Sequence, residues 1–442
     1  MSEPSPDPSR KNPPLITGDR ILVLVMVAIL LLNSLSLVGI FFGVHRAVTE
    51  DVKVAGGNFE LSVVAADRFF KGEDVYDFQS TVELNGYFAY TPLMILFGAA
   101  LSHIFYPLRY LFLLVGMVPL TLLFARSLAS RISPALKDRK RLMVWAFVAV
   151  AMSSPLLRQL AWGHYIVLGL GAFGLFLLFA DTRPKLAGFF FGLSCSFSIY
   201  FFIFHYYLFL RKRFSTMVVA LITAVGTYGI LLFNKASMAG YGVMLKTLNE
   251  LSIARKAGYP IYFTIRDIQN WLGGDLIGQF LPYAVIGILL VLFSANAFFK
   301  SRWDERMVRL NLALLATVFI LADPWLSDHH IPIILIAIPL LIGEPGWKWV
   351  LPIGYLFTNA RIDLPFLAWL GLQTEQGITD PTIGGIVWFS FIRYAGALLL
   401  FVYILWLKRK DLSGTIQEIR LLPKTVKGWF CPRPGSHRQK GA

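Results

Sequence analysis

The stretch LPYAVIGILLVLFSANAFF, from Leu281 to Phe299, contains no charged residue and is apolar along almost its whole length. It has about the ~20 residues that an α-helix needs to cross the hydrocarbon core of a bilayer. A second charge-free run, from Ile21 to Val44, ends on bulky residues and lacks the cleavage site of a signal peptide. Both stretches therefore predict retained membrane-spanning helices.

The composition of the whole chain agrees with these two runs. Of its 442 residues, 56% are hydrophobic and only 15% are charged, so the chain is more apolar than an ordinary soluble domain. The sequence predicts an all-α fold: a polytopic transmembrane bundle of about 12 helices, within a range of about 10 to 13, with further helices at the outer membrane surface. Since only two cysteines occur, no disulfide framework is expected.

The formal net charge of +15 is concentrated in short basic segments between the apolar runs. This distribution is typical of cytoplasmic loops, and it favours membrane lipids rather than nucleic acid as the partner of the positive charge. The basic segments are KDRKR at 137–141, RKR at 211–213, residues 300–309 and KRK at 408–410.

The positive-inside rule then divides the chain into three parts with both termini in the cytoplasm. We expect residues 1–20 to be a disordered leader, residues 21–407 a transmembrane domain, and residues 408–442 a basic tail that binds anionic lipid. The longer segments 46–90 and 234–275 are then left on the outer side of the membrane.

The outer segment GGNFELSVVAADRFFKGEDVYDF, residues 56–78, predicts an amphipathic helix at the membrane surface. Asn58 is suited to the N-cap, and Gly72 is suited to end the helix. We expect Glu60 to lie off the apolar face. That face comprises Leu61, Val64, Ala65 and Phe69.

The same segment resembles the first outer loop of the polytopic C-type glycosyltransferases, specifically glycosyltransferase family 87. Members typically show an Asp-Phe pair, an Ala-Ala pair, a glycine, a tyrosine and then Tyr-Pro-Pro-Leu. The corresponding residues here are Asn58-Phe59, Ala65-Ala66, Gly72, Tyr76 and Tyr90 to Leu93. Further similarities follow in the same order at Trp162-Gly163-His164, Leu186-Ala187-Gly188, and Pro324 with Asp328, His329 and His330.

This resemblance implies an integral-membrane glycosyltransferase of the plasma (bacterial inner) membrane with its active site facing outward. It implies a polyprenyl-phosphate sugar as donor, with mannose as the expected sugar, a glycolipid or polysaccharide as acceptor, and inversion at the transferred carbon. No cofactor is expected, because the lipid-linked sugar is itself the substrate. Nor is a divalent metal, because adjacent histidines such as His329 and His330 point apart.

The catalytic aspartate of the family corresponds to Asn58, whose amide cannot accept a proton at neutral pH. Three explanations remain open. Glu60 or Asp51 could supply the carboxylate base, or His329 or His330 could act as the base instead. Alternatively, the chain has lost transferase activity and is a lipid-linked glycan binding or transport protein on the same scaffold.

The family's Lys-Pro pair is also replaced, by Ser198-Ile199-Tyr200, so a cation that could meet the donor phosphate is missing there. Arginine and lysine residues of the outer segments are the candidates to replace it, because both bind phosphate. These are Arg158, which we favour, Lys246, Arg255, Lys256, Arg266 and Arg361. The other residues expected to bind donor or acceptor are Tyr90, His164, Asp328 and His329.

Overall fold

The computed structural model describes most of the chain between residues 57 and 416. The described residues are 57–77, 90–105, 108–161, 163–254, 281–299, 303–322, 331–359, 382–383 and 386–414, with residues 24, 27, 28, 30, 31, 34 and 416. Most of the predicted first span at 21–44, the leader and most of the basic tail lie outside these residues.

Helices make up nearly all of the described structure. In chain order they are α1 (Gly57–Phe70), α2 (Leu93–Ser102), α3 (Leu108–Ala129), α4 (Arg139–Ala151), α5 (Ser154–Ala161), α6 (Ile166–Phe179), α7 (Pro184–Phe197), α8 (His205–Leu210), α9 (Phe214–Tyr228), α10 (Lys235–Ala254), α11 (Leu281–Phe299), α12 (Glu305–Ala322), α13 (Ala337–Leu341), α14 (Trp347–Thr358) and α15 (Trp388–Leu407). The 3₁₀ helices Ile199–Phe204, Gly229–Phe233 and Ile331–Ile336 adjoin α8, α9 and α13. Two short antiparallel strands, β1 (Thr382–Ile383) and β2 (Ile386–Val387), precede α15.

The predicted helical class is therefore confirmed for the described residues, apart from that short hairpin. Helix α11 has the bounds of the charge-free stretch Leu281–Phe299. Judged on the described residues alone, two helices are long and apolar enough to cross a membrane, Leu108–Ala129 and Phe214–Phe233, and five shorter apolar helices accompany them. The number of about 12 crossings stays a prediction.

Helices α3, α6, α7 and α9 pack side by side in that order. Two glycines on α7 permit its close approach to α9. A β-carbon at Gly188 would lie 2.6 Å from the carbonyl oxygen of Thr216, and one at Gly192 would lie 2.5 Å from that of Ala220. Small residues four positions apart allow helix backbones to pack closely in membrane proteins, and α7 uses this device.

Several of the loops predicted to be cytoplasmic meet at one end of the bundle. Asp181 accepts hydrogen bonds from Arg211 at 2.9 Å and from Arg131 at 3.2 Å, which joins the loops after α3, α6 and α8. Leu136, in the loop after α3, lies against Gly343, just before α14. We call this the basic end; it comprises residues 130–141, 180–183, 211–213 and 342–348, which include the first residues of α4 and α14.

One of the predicted basic loops, residues 300–309, is shorter than expected. Helix α12 begins at Glu305, and Arg309 is buried within it rather than exposed in a loop. Its guanidinium contacts the carboxylate of Glu344 at 2.9 Å and donates to the carbonyl oxygens of Leu340 and Ile342. The charge is tolerated inside the bundle because a carboxylate compensates it there.

Asp181 predicts a pH-dependent contribution to stability at the basic end. Burial raises the pKa of Asp181, but Arg211 and Arg131 outweigh this and hold it below the ordinary value. A carboxyl with a lower pKa in the folded state stabilises the fold above its unfolded pKa of about 3.9, and this stability is lost as the pH falls through the folded pKa. Because the carboxylate is 44% exposed, we expect Asp181→Asn to cost only about 0.5–1 kcal/mol at pH 7.

The unfolding temperature of the purified protein, followed from pH 7 down to about pH 3, tests this expectation. The difference between wild type and Asp181→Asn should shrink as the carboxylate becomes protonated. Asp67→Asn is the control, because it removes an exposed ion pair with Lys71 and should change little. A difference that stays constant across this range would contradict the ionic role of Asp181.

Candidate functional site

Helix α1 and the start of α3 lie at the end of the bundle opposite the basic end. Helix α3 has 22 residues, which corresponds to about 33 Å at ~1.5 Å per residue. Arg109 lies in its first turn, close to α1, and Arg131 lies just beyond its last turn, at the basic end. The helix thus separates two polar regions by a distance comparable to a bilayer core. We call the region around α1 the outer end, after the side of the membrane that the sequence predicts for it.

The buried face of α1 differs in part from the predicted one. Ala65 and Phe69 are buried as expected, whereas Leu61 and Val64 are only half-buried. Helix α1 also begins at Gly57, so Asn58 lies in its first turn and not at the N-cap. The buried face is completed by Phe59, Ser62 and Ala66.

The C-terminus of α1 is held by side chains from the start of α10. The helix ends before Gly72, which has a φ of +79° as the sequence predicted for a helix-ending glycine. The amide of Asn234 donates to the carbonyl oxygens of Phe69 at 3.0 Å and Glu73 at 2.9 Å. The hydroxyl of Ser237 donates to the same Glu73 carbonyl at 3.1 Å. Helix α1 is therefore held to the helical bundle by hydrogen bonds at its C-terminus.

Glu60 forms an ion pair that sets its position at the outer end. Nη1 of Arg109 lies 2.7 Å from Oε2 of Glu60, and the two side chains are 10% and 16% exposed. Arg109 also donates to the carbonyl oxygens of Ile104 at 2.7 Å and Ser102 at 3.3 Å, at the end of α2. Glu60 was expected on a polar surface, but the ion pair brings it into the bundle because Arg109 compensates its charge.

Two tyrosines lie between α1 and the start of α6. The hydroxyl of Tyr165 donates to the hydroxyl of Ser62 on α1, and its ring centroid is 5.5 Å from that of Tyr90 in an edge-on arrangement. Burial raises the pKa of Tyr90, and it raises the pKa of Tyr165 despite the hydrogen bond to Ser62. Both phenols therefore keep their protons at neutral pH.

His164 packs edge-on against Tyr90, with 5.4 Å between ring centroids. Its Nδ1 accepts a hydrogen bond of 3.2 Å from the backbone N–H of Ile166, in the first turn of α6. In the neutral imidazole the proton must then be on Nε2, which makes Nε2 a donor. We refer to Glu60, Ser62, Tyr90, Arg109, His164 and Tyr165 together as the outer cluster.

An apolar groove of about 510 Å³ begins next to the outer cluster. Helices α2, α3, α6 and α7 form its walls, and Phe97, Gly116 and Phe197 are among its lining residues. Leu101 and Leu168 connect it to the cluster. Leu101 precedes Ser102, a partner of Arg109, and the N–H of Leu168 donates to the Tyr165 carbonyl. The groove is almost entirely apolar, so it suits a hydrocarbon chain better than a sugar.

The structure brings together three of the predicted site residues, Glu60, Tyr90 and His164. Lys246 is exposed on α10. Asn58 and Arg158 are described in their backbone only, in α1 and α5. The remaining candidates lie outside the described residues: Asp51, Arg255, Lys256, Arg266, Asp328, His329, His330 and Arg361.

Arg109, Ser62 and Tyr165 were not among the residues that the sequence predicted for the site. A signal for Arg109 was present, because a charge inside an apolar run is costly and usually has a partner. Ser62 and Tyr165 carried no such signal, since their contact joins residues more than 100 positions apart in the chain.

Comparison with known proteins identifies the family. Residues 88–324, more than half of the chain, match glycosyltransferase family 87. The match includes Tyr90, Arg109, His164 and Tyr165, whereas α1 lies before it and Asp328 to His330 lie after it. No curated protein and no solved structure matches the chain. By this match and by the order of motifs that precede and accompany it, the chain belongs to glycosyltransferase family 87.

Proposed function

We propose that this chain transfers a sugar, with mannose as the expected one, from a polyprenyl-phosphate donor to a glycolipid or polysaccharide acceptor, with inversion. Membership of family 87 implies a glycosyltransferase. The donor class rests on one observation above all: an apolar groove, lined by Leu101 and Leu168, lies next to the polar cluster. A donor with a hydrocarbon chain and a charged sugar-phosphate head needs both surfaces next to each other.

In this proposal Glu60 is the catalytic base. An inverting transfer needs a group that takes the proton of the acceptor hydroxyl while the hydroxyl oxygen attacks the sugar and the phosphate leaves with the bonding electrons. Asp67 and Glu73, two other carboxylates of this segment, pair with Lys71 and Arg68 at the surface. Glu60 instead lies close enough to Tyr165 to act on it electrostatically.

Arg109 and His164 have supporting roles in this mechanism. Arg109 holds the Glu60 carboxylate in place by an ion pair of 2.7 Å. His164 offers a hydrogen-bond donor at Nε2 for a sugar hydroxyl or for the leaving phosphate. The phosphate would be met by one or more of the outer cations, with Arg158 as our preferred residue, because its helix α5 leads directly to His164.

We further propose that the outer cluster faces the outside of the plasma membrane and that both termini are cytoplasmic. Supporting this orientation, basic loops converge at the end of the bundle opposite the cluster, as the positive-inside rule expects. The family and the two long apolar helices indicate a membrane protein. Headgroups and water meet at the outer surface, where a lipid-linked sugar and a polar acceptor can react.

A second function, lipid-linked glycan binding or transport without transfer, is favoured by one specific observation. Asn58 stands where the family has its catalytic aspartate, and an amide is not a base. This alternative predicts that labelled polyprenyl-phosphate mannose binds to the purified protein but is never consumed in the presence of membrane glycolipid acceptors. Release of polyprenyl phosphate with formation of a new glycoside would exclude it.

The groove offers a direct test of the proposed donor. Gly116 lines it, and no atom lies within 4 Å of a β-carbon built at this position, so a side chain can begin here, and Gly116→Phe is designed to place its ring in the groove. We expect this variant to lose on the order of tenfold in kcat/KM for a polyprenyl-phosphate mannose donor, because the prenyl chain competes with the new ring for space. Initial rates with radiolabelled donor, compared between long-chain and short-chain prenyl donors, measure the effect.

The control variant is Gly226→Phe on α9. Gly226 also has no atom within 4 Å of a built β-carbon, but it does not line the groove. It should transfer sugar at the wild-type rate. Equal losses in the two variants, or a Gly116→Phe loss that does not depend on prenyl length, would argue against this groove as the binding site of the donor chain.

A further inference from the structure

A second and larger cavity, of about 760 Å³, lies at the basic end between α4 and α14. Its inner wall is apolar and buried, with Ala146, Ala149 and Leu351 among the lining residues. The hydroxyl of Tyr355, another lining residue, donates to the carbonyl oxygen of Ala149 at 2.6 Å and so connects the two helices. This cavity shares no residue with the outer cluster or with its groove.

The mouth of this cavity is polar and mostly basic. Lys137, Arg141 and Lys348 line it and are exposed, against one carboxylate, that of Asp138. Trp145 and Trp347 also line the cavity, and both are half-buried. Indole rings are enriched where the polar and apolar parts of a membrane meet. From its mouth inward, the cavity therefore presents cations, indole rings and an apolar wall, in the same order as the headgroup, interface and acyl chains of a lipid.

We propose that this cavity binds one anionic phospholipid of the cytoplasmic leaflet. The phosphate lies beside Lys137, Arg141 and Lys348, and the acyl chains lie along the apolar wall between α4 and α14. The orientation of the protein is that of the proposed function, but binding at this site does not depend on sugar transfer. The three cations and one carboxylate give the mouth a net positive charge, which favours a phosphate headgroup over a zwitterionic one.

Charge also argues against the chain's own C-terminal tail as the occupant. Residues 417–442 are rich in lysine and arginine, and their positive charge would be repelled by the cations at the mouth. A free phosphate ester would satisfy the cations but would leave the apolar wall uncovered. A diacyl lipid with one negative charge covers both surfaces.

The test measures binding of dioleoyl phosphatidylglycerol to the full-length protein in detergent by native mass spectrometry. We expect saturable binding of one lipid, with dioleoyl phosphatidylcholine and glycerol 3-phosphate each binding far more weakly. Since a basic residue near an anionic headgroup contributes about fivefold in affinity, Arg141→Ser with Lys348→Ser should weaken the binding on the order of 25-fold.

Lys140→Ser is the matched control. Lys140 is an exposed cation on α4 next to Arg141, but it does not line the cavity. It should bind phosphatidylglycerol like the wild type. The proposal is overturned if phosphatidylcholine binds as well as phosphatidylglycerol, if glycerol 3-phosphate binds as tightly as the lipid, or if Lys140→Ser loses as much affinity as the double variant. Because the experiment measures lipid binding, a negative result would contradict this lipid site without contradicting the proposed sugar transfer.

Discussion

Glu60→Gln is expected to lower the rate of sugar transfer by a factor of about 100 to 10,000 while the protein keeps its fold. Glutamine has nearly the same shape as glutamate, and its side-chain oxygen can still accept the hydrogen bond from Arg109. Its amide cannot take a proton from the acceptor hydroxyl. The measurement is the initial rate of transfer from a labelled polyprenyl-phosphate mannose donor, together with the unfolding temperature of each preparation.

Glu73→Gln is a suitable control for this variant. Glu73 follows the same helix and also pairs with an arginine, Arg68 at 3.2 Å, but its side chain is 51% exposed. Its replacement should leave the transfer rate within about twofold of wild type, because an exposed pair contributes little. If Glu60→Gln retained full activity, Glu60 would not be the base, and Asp51, His329 and His330 would become the residues to test.

Arg109→Met is expected to cost about 3–5 kcal/mol of unfolding free energy, the second large effect. The substitution leaves the carboxylate of Glu60 largely buried without its cation and removes the donors to the carbonyl oxygens of Ser102 and Ile104. Transfer activity should fall along with stability, because the carboxylate is no longer held in position. Denaturant titration in detergent and the transfer rate are measured on the same preparations.

The double variant Glu60→Gln with Arg109→Met separates these two effects. It should be more stable than Arg109→Met alone, because a neutral amide replaces the uncompensated charge, yet it should remain inactive. Arg68→Met serves as the control, since its partner Glu73 is half exposed and its loss should cost less than about 1 kcal/mol. A double variant no more stable than Arg109→Met would show that the ion pair is not what stabilises this end of the bundle.

The sequence predicted correctly where α1 ends, but not its N-cap or all of its buried residues. The end of α1 before Gly72 follows from a local rule, because only a residue that tolerates positive φ fits there, and the structure confirms it. The buried face was misjudged at Leu61 and Val64, which are only half-buried. Their burial depends on which helices lie beside α1, and periodicity shows only that one face is apolar.

In the candidate site, too, residue types could be predicted from the sequence, whereas contacts between distant residues could not. Glu60, Tyr90 and His164 were selected because of their residue types and the family resemblance, and the structure places them at the same end of the bundle. Arg109 was not selected, although its position in an apolar run implied a partner. The identity of that partner could not be read from the sequence, since Glu60 lies 49 positions away.

By itself, the sequence determined the helical class, the bounds of α11 and the family, because each depends on composition or on short-range order along the chain. Only the tertiary structure decided that Arg109 compensates Glu60, that Tyr165 bonds to Ser62, and that an apolar groove lies next to this cluster. These features arise from side chains that distant parts of the chain bring into contact. Such contacts depend on how the helices pack, and packing is a property of the whole bundle that no single segment contains.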